Sequence, residues 1–196
     1  MTQPTRRAAV SRQTAETKIY AELSLDGDGI AGIKSGIAFF DHMLSQLVFH
    51  GRLDLNLTAT GDTAIDAHHT VEDCGIVFGQ ALAQALGDKF GIARFGYAYA
   101  PLDEALARVV VDISGRPSLN YHVALSRFDV GGMDGDLLRE FFQAVVNAAA
   151  LTLHIDLLRG INAHHQAEAI FKAFGLALSA ALSTRAKGIP STKGAL

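Results

Sequence analysis

Residues 66–82 read DAHHTVEDCGIVFGQAL, and behind the string His68-His69-Thr70-Val71-Glu72 the apolar positions Val71, Cys74, Phe78, Ala81, Leu82, Ala85 and Leu86 recur at helical spacing. Gly87 follows as a stop signal, so a helix is predicted over 68–86. At an offset of 96 residues the pattern returns as His164-His165 with Glu168, inside INAHHQAEAIFKAFG at 161–175. One such triplet arises on a helix by chance. Its return in the corresponding place of a second helix points to an internal duplication.

Working outward, the landmarks keep their order. His42 precedes His68 by 26 residues and Glu140 precedes His164 by 24, each in a Phe-rich helical stretch, FFDHMLSQL and LLREFFQAV. Glu16 (in AETKI) lies 26 residues before His42, and Glu104 (in DEALA) lies 36 before Glu140. The Gly/Asp-rich segment 129–136 accounts for the difference as an insertion in the second copy.

Between these landmarks the pattern has period two. Ile19, Ala21, Leu23 and Leu25 lead into Asp26-Gly27-Asp28-Gly29, which predicts a strand entering a hairpin; Leu53, Leu55 and Leu57 alternate again. Strands are expected over 105–113 and 118–125, around the Gly115-Arg116-Pro117 turn, and over 152–158, with a short extra strand near 95–101. Helices are expected over 37–49, 137–151 and 162–182. The order β-β-α-β-α thus occurs twice. The halves are 1–93, beginning with an N-terminal arm of about 1–12, and 94–186, followed by an irregular C-terminal arm at 187–196. No low-complexity linker separates them, so a single compact domain is expected.

The chain has 196 residues, 49% hydrophobic and 19% charged, which excludes disordered and fibrous classes. A net charge of −3 gives no reason to expect nucleic acid or an anionic membrane as partner. No run approaches the roughly 18 apolar residues of a membrane span, and the basic start MTQPTRRAAVSR lacks a signal peptide's apolar stretch. With one cysteine, Cys74, no intramolecular disulfide can form, and a cytoplasmic location is the expectation.

Of eight histidines, His50, His122 and His154 stand alone and read as ordinary core or surface residues. The other five, His42, His68, His69, His164 and His165, combine with Glu72, Glu140 and Glu168 into eight candidate ligands, enough for two four-ligand sites. Adjacent helical residues are separated by about 100°, whereas the residue four positions on returns to within about 40°, so one helix can serve two sites. Imidazole with carboxylate, in the absence of thiolate, suits manganese, iron or zinc. A metal would also offset the cost of gathering these groups on core-facing helices. Lys172, four residues beyond Glu168, shares the face of His164 and Glu168.

The strings at 66–82 and 161–175, with FFDHM (39–43), SGRP (114–117) and STKGAL (191–196), resemble the imidazoleglycerol-phosphate dehydratases of histidine biosynthesis over nearly the whole chain after about residue 10. The resemblance implies an α+β fold of two similar halves, each a four-stranded mixed sheet, with helices packed between the sheets. It implies a manganese-dependent hydro-lyase with two Mn2+ per active site, one held by His42, His69, Glu72 and His164, the other by His68, Glu140, His165 and Glu168. Many relatives carry histidine where this chain has Glu140. It further implies a homo-oligomer of 24 subunits built from trimers, with active sites at subunit interfaces.

The reaction implied is dehydration of imidazoleglycerol phosphate to imidazoleacetol phosphate through a metal-stabilised imidazolate and a diazafulvene, with Glu16 as the catalytic base. Arg94, Arg116, Lys172, Ser191 and Lys193 match the phosphate contacts. The alternatives are a different di-metal hydrolase or oxidase acting on a phosphorylated small molecule, and a non-enzymatic metal-storage shell. Enzymes of the first kind lean more heavily on bridging carboxylates, whereas this donor set is rich in histidine, and a storage shell has no use for Glu16.

Overall fold

The computed structural model describes residues 6–185, 188–194 and 196. In the first half β1 (Arg7–Gln13), β2 (Thr17–Ser24), β3 (Ala31–Lys34), α1 (Ala38–Gly51), β4 (Asp54–Gly61) and α2 (His68–Leu86) follow one another. The second half repeats this series as β5 (Phe95–Leu102), β6 (Ala105–Asp112), β7 (Ser118–His122), α3 (Leu137–Ala149), β10 (Thr152–Arg159) and α4 (Ala163–Leu182). A small hairpin, β8 (Asp129–Val130) and β9 (Met133–Asp134), occupies the expected insertion. The sheets run β1-β2-β4-β3 and β5-β6-β10-β7, and in each the last pair is parallel and the others antiparallel. The fold is the expected α+β arrangement of two four-stranded mixed sheets.

Three details depart from the sequence reading. From Arg7 the expected arm of 1–12 is the edge strand β1, while positions 1–5 lie outside the described residues. An edge strand buries little, here only Val10, so period two had almost nothing to register. Next, Asp26-Gly27-Asp28-Gly29 does not close a hairpin, because β4 lies between β2 and β3. Asp54 Oδ1 accepts from the N–H groups of Asp28 and Ile30 at 2.9 and 3.0 Å and pins this loop across the start of β4. The hairpin is instead β1–β2. Its turn is closed by Thr14 Oγ1, which accepts from the N–H groups of Glu16 and Thr17, and Glu16 sits at its tip. Lastly, β7 ends at His122, short of 125. The helices match expectation to within two residues at each end.

The four helices form a layer in which α2 packs on β1, β2 and α3, while α4 packs on β5, β6 and α1. Helices of opposite repeats therefore pair. Gly175 makes the α1–α4 contact possible: a Cβ there would lie 2.5 Å from the Leu47 carbonyl oxygen. Its counterpart at the 96-residue offset, Gly79, meets α3 in the same way, 2.8 Å from the Val145 carbonyl oxygen. At the centre the Phe141 ring lies 5.3, 6.4 and 5.7 Å from those of Phe40, Phe78 and Phe171, so one α3 side chain touches all three other helices. Among the described residues no helix is long and apolar enough to cross a membrane.

Apart from positions 186, 187 and 195, which fall outside the described residues, the C-terminal arm runs against the segment that joins the two halves. Gly188 accepts from the Gly91 N–H at 2.9 Å, and Pro190 accepts from Arg94 Nη1 at 3.0 Å.

Candidate metal centre

Each His-His pair starts a helix, and a short polar side chain two residues ahead fixes that start. Asn162 Oδ1 accepts from the N–H of His164 at 2.9 Å, and Asp66 Oδ1, 96 residues earlier, accepts from that of His68 at 2.7 Å. These contacts set the rotation at which the two imidazoles leave each helix.

On α4 the faces separate as helical geometry requires. His164 and Glu168, at i and i+4, face α1 and meet His42. Glu168 Oε2 lies 3.0 Å from His42 Nε2 and 3.2 Å from His164 Nε2, while Oε1 takes the Lys172 ammonium at 2.6 Å. Burial by itself would raise the Glu168 carboxyl, but the bonds from Lys172, His42 and His164 outweigh it and hold the group below the usual carboxylate range. Ligand atoms of His42, His164 and Glu168 all lie within 4.8 Å of one another. His42 comes from the first repeat and the other two from the second, so the duplication has built one site from both halves.

Within one chain this grouping differs from the division implied by the resemblance. Glu168 meets His42 and His164, and not His68, Glu140 and His165, because the i,i+4 spacing puts it on the His164 face and turns His165 away. By the same geometry Glu72 pairs with His68, at 4.0 Å, and not with His69. Glu140, across the α2–α3 groove, lines a cavity with Glu72, Gln143 and Asn147, and its carboxylate takes Arg139 at 3.3 Å. Among the described residues the set His68, Glu140, His165 and Glu168 does not converge within one chain.

His69 and His165 lie on the other faces, and each finds a carboxylate. His69 Nδ1 is 3.0 Å from Asp62 and 3.7 Å from Glu16, and these three residues form the second convergent cluster. The Asp62 hydrogen bond raises the His69 pKa, with lesser help from Glu16, against some desolvation. His165 Nδ1 is 2.8 Å from Glu104, which likewise raises its pKa. Sequence reading missed Asp62. It stands just past a strand end with no periodicity to mark it, and its only signal is a position seven residues before a ligand-type histidine. His50, set aside as ordinary, is lowered by partial burial and then by the nearby Lys172 charge.

The phosphate candidates divide in two. Arg94 is bound by Asp112 through Nε and Nη2, at 2.7 and 3.1 Å, and by Pro190 through Nη1, so two of its five N–H groups are not used by these bonds. It thereby ties the arm carrying Ser191 and Lys193 to the second sheet. Leu196 ends against Gly115, beside the exposed Arg116. Lys172 is held at the other cluster, by Glu168. Cys74 takes no part: burial pushes its thiol far above the usual range.

With this geometry in place, comparison with known proteins is specific. Residues 35–178 match the family model described as imidazoleglycerol-phosphate dehydratase. The chain is 61% identical over 194 residues to the imidazoleglycerol-phosphate dehydratase of Aminomonas aminovorus, covering 97% of this chain and 100% of that protein. It is 60% identical to that of Ralstonia nicotianae, covering 97% and 99%. The crystal structure of the Staphylococcus aureus enzyme superposes with a TM-score of 0.83 at 47% identity, covering 91% of this chain and 99% of that one. The Pyrococcus furiosus enzyme gives 0.82 at 40%, covering 95% and 100%.

Proposed function

The chain belongs to the imidazoleglycerol-phosphate dehydratase family of hydro-lyases, and from that membership we propose that it dehydrates imidazoleglycerol phosphate to imidazoleacetol phosphate in histidine biosynthesis, using two divalent ions, manganese foremost. The observation that carries this reading is the meeting of His42 with His164 and Glu168 across the two repeats.

The donor set fits a divalent ion. Two imidazoles and one carboxylate kept ionised by Lys172 converge from two rigid helices, a combination suited to manganese, iron or zinc. His42, His164 and Glu168 would hold one ion, and His68, Glu72 and Glu140 the other. His69 and His165 would complete the two sites across contacts between copies of the chain, in a homo-oligomer built from trimers. When bound, the ions supply Lewis acidity that favours the imidazolate form of the substrate ring.

The protein's own groups do the rest. The hydroxyl leaves the carbon beside the ring and a proton leaves the next carbon; the resulting enol relaxes to the ketone. Glu16, on an exposed hairpin tip 3.7 Å from His69, accepts that proton. Arg116, Ser191, Lys193 and the unused N–H groups of Arg94, on the arm and the segments it touches, bind the phosphate, and Lys172 joins them where copies of the chain meet.

Dehydratase activity of chelated protein, assayed after restoring Mn2+, Zn2+, Fe2+ and Co2+ in turn, tests the reading. Activity is expected to vanish on chelation and to return best with Mn2+; full activity in chelator would refute it. Lys193→Ala and Arg116→Ala should raise KM with little change in kcat, and an unchanged KM would remove both residues from the phosphate site.

A further inference from the structure

His69 and His165 correspond through the duplication, and each has its Nδ1 against a carboxylate, but the carboxylates do not correspond. In the second repeat the partner is Glu104, 2.8 Å from His165. Its other oxygen accepts from the N–H groups of Ile161 and Asn162 at 3.0 and 2.8 Å, so the side chain is fixed at both ends. The equivalent of Glu104 in the first repeat is Glu16, yet His69 is taken by Asp62 at 3.0 Å, with Glu16 farther off at 3.7 Å. Among the described residues none donates a hydrogen bond to the Glu16 carboxylate, whose side chain is 54% exposed.

Loop lengths account for the asymmetry. Leu102 pairs directly with Ala105, leaving Asp103 and Glu104 as a two-residue turn that holds Glu104 close to α4. Gln13 pairs with Lys18, leaving the longer tip of residues 14–17 and setting Glu16 back from α2. Asp62 reaches His69 from the end of β4, where Gly61 lies close under α2: a Cβ there would lie 2.1 Å from Thr70 Oγ1, so a larger residue must displace that side chain. The second repeat has Leu158 seven residues before His165, so Glu104 alone takes its Nδ1; the other carboxylate near that ring, Asp103, lies 4.0 Å from Nε2.

We propose that Asp62 and Glu104 are positioning residues that hold the metal-binding histidines His69 and His165 by Nδ1, and that Asp62, by displacing Glu16 from His69, leaves the Glu16 carboxylate available to substrate. The proposal rests on the functional reading above. An imidazole that donates Nδ1–H to a carboxylate presents Nε2 to an ion in a fixed orientation and with raised basicity. The two copies have thus diverged in how they hold the ring. The second uses its tip glutamate, whereas the first uses an aspartate at the end of β4 and keeps its tip glutamate free.

The test compares Asp62→Ala, Asp62→Asn and Glu16→Gln in the assembled protein, reading Mn2+ affinity by electron paramagnetic resonance titration, and kcat and KM at saturating Mn2+. Asp62→Ala should weaken Mn2+ binding by roughly 10- to 100-fold. At saturating metal it should still lower kcat more than it changes KM, because Glu16 then closes on His69. Asp62→Asn, whose amide oxygen still accepts from Nδ1–H, should recover most of the affinity, and it carries the test if the alanine variant fails to fold. Glu16→Gln should lower kcat by roughly 100-fold or more and leave Mn2+ affinity unchanged. Parental Mn2+ affinity in Asp62→Ala overturns the proposal, as does a Glu16→Gln variant that loses metal as readily as Asp62→Ala. Parental turnover in Glu16→Gln would instead remove the proton-transfer role from the functional reading, while metal affinity still decides who holds the ring.

Discussion

Glu168 is the residue on which the candidate metal centre depends most. It is buried, and its two oxygens serve Lys172, His42 and His164 at once. Glu168→Gln keeps the shape but removes the charge, leaving the Lys172 ammonium without its partner; a loss of about 1.5–3 kcal/mol is expected, the range for hydrogen bonds to charged groups. Metal content after dialysis should fall in the same variant, measured by mass spectrometry beside thermal unfolding, and a variant that keeps its metal would refute the trio. Glu104 makes a prediction about pH. Two backbone N–H groups and His165 hold its carboxyl down to about 2 from an ordinary 4.5, so its contribution is complete above pH 4.5 and is lost only as pH falls towards 2. The difference in urea midpoint between the parent and Glu104→Gln should therefore widen as pH falls through the titration of His165, whose pKa Glu104 raises above 6.5, and close only as pH falls from 4.5 towards 2. At this scale the histidine-glutamate pattern was legible because four residues on a helix define a face. The grouping of Glu168 with His164 follows from that same angle, whereas His42 joins them only once α1 is packed on α4. Asp62 was not legible, since a lone aspartate after a strand acquires meaning only once β4 and α2 are packed together.

Among the elements, the α1–α4 crossing sets the distance between His42 and its partners on α4. Gly175→Ala would place a methyl 2.5 Å from the Leu47 carbonyl and 2.9 Å from the Gly51 nitrogen, both backbone atoms with no rotamer to yield. The helices must separate, at a cost of about 1–3 kcal/mol. His42 lies little more than one turn before Leu47, so the ligand trio should widen with them. Lower thermal stability together with weaker metal binding is the expected result; lower stability with parental metal affinity would show that the trio does not depend on this crossing. The helices were legible because their apolar stripes are long. Strand order was not, because adjacency in sequence suggested that Asp26-Gly27-Asp28-Gly29 closes a hairpin. What decides the crossover is Asp54, 24 residues beyond Ile30, which binds the loop from the far side of α1. The edge strand β1 escaped notice for the complementary reason that it has almost no buried face.

Over the whole molecule, duplication did not produce two domains. α1 pairs with α4 and α2 with α3, so neither half can close its core without the other, and the aromatic cluster makes this quantitative. Phe141 is fully buried and touches a phenylalanine on each of the other three helices, so Phe141→Ala should cost about 3–5 kcal/mol. If the halves share one core, that loss must appear in both. Hydrogen-exchange mass spectrometry on peptides covering β4 and β10, one from each sheet, should show protection falling by the same amount, as a single cooperative unit requires. A loss confined to β10, in the half that contains Phe141, would mean that the repeats open independently. The same coupling bears on the site: His42 reaches His164 and Glu168 only while the halves are joined, so the Phe141→Ala variant should also release metal at a lower denaturant concentration than the parent, in step with the protection lost in both sheets.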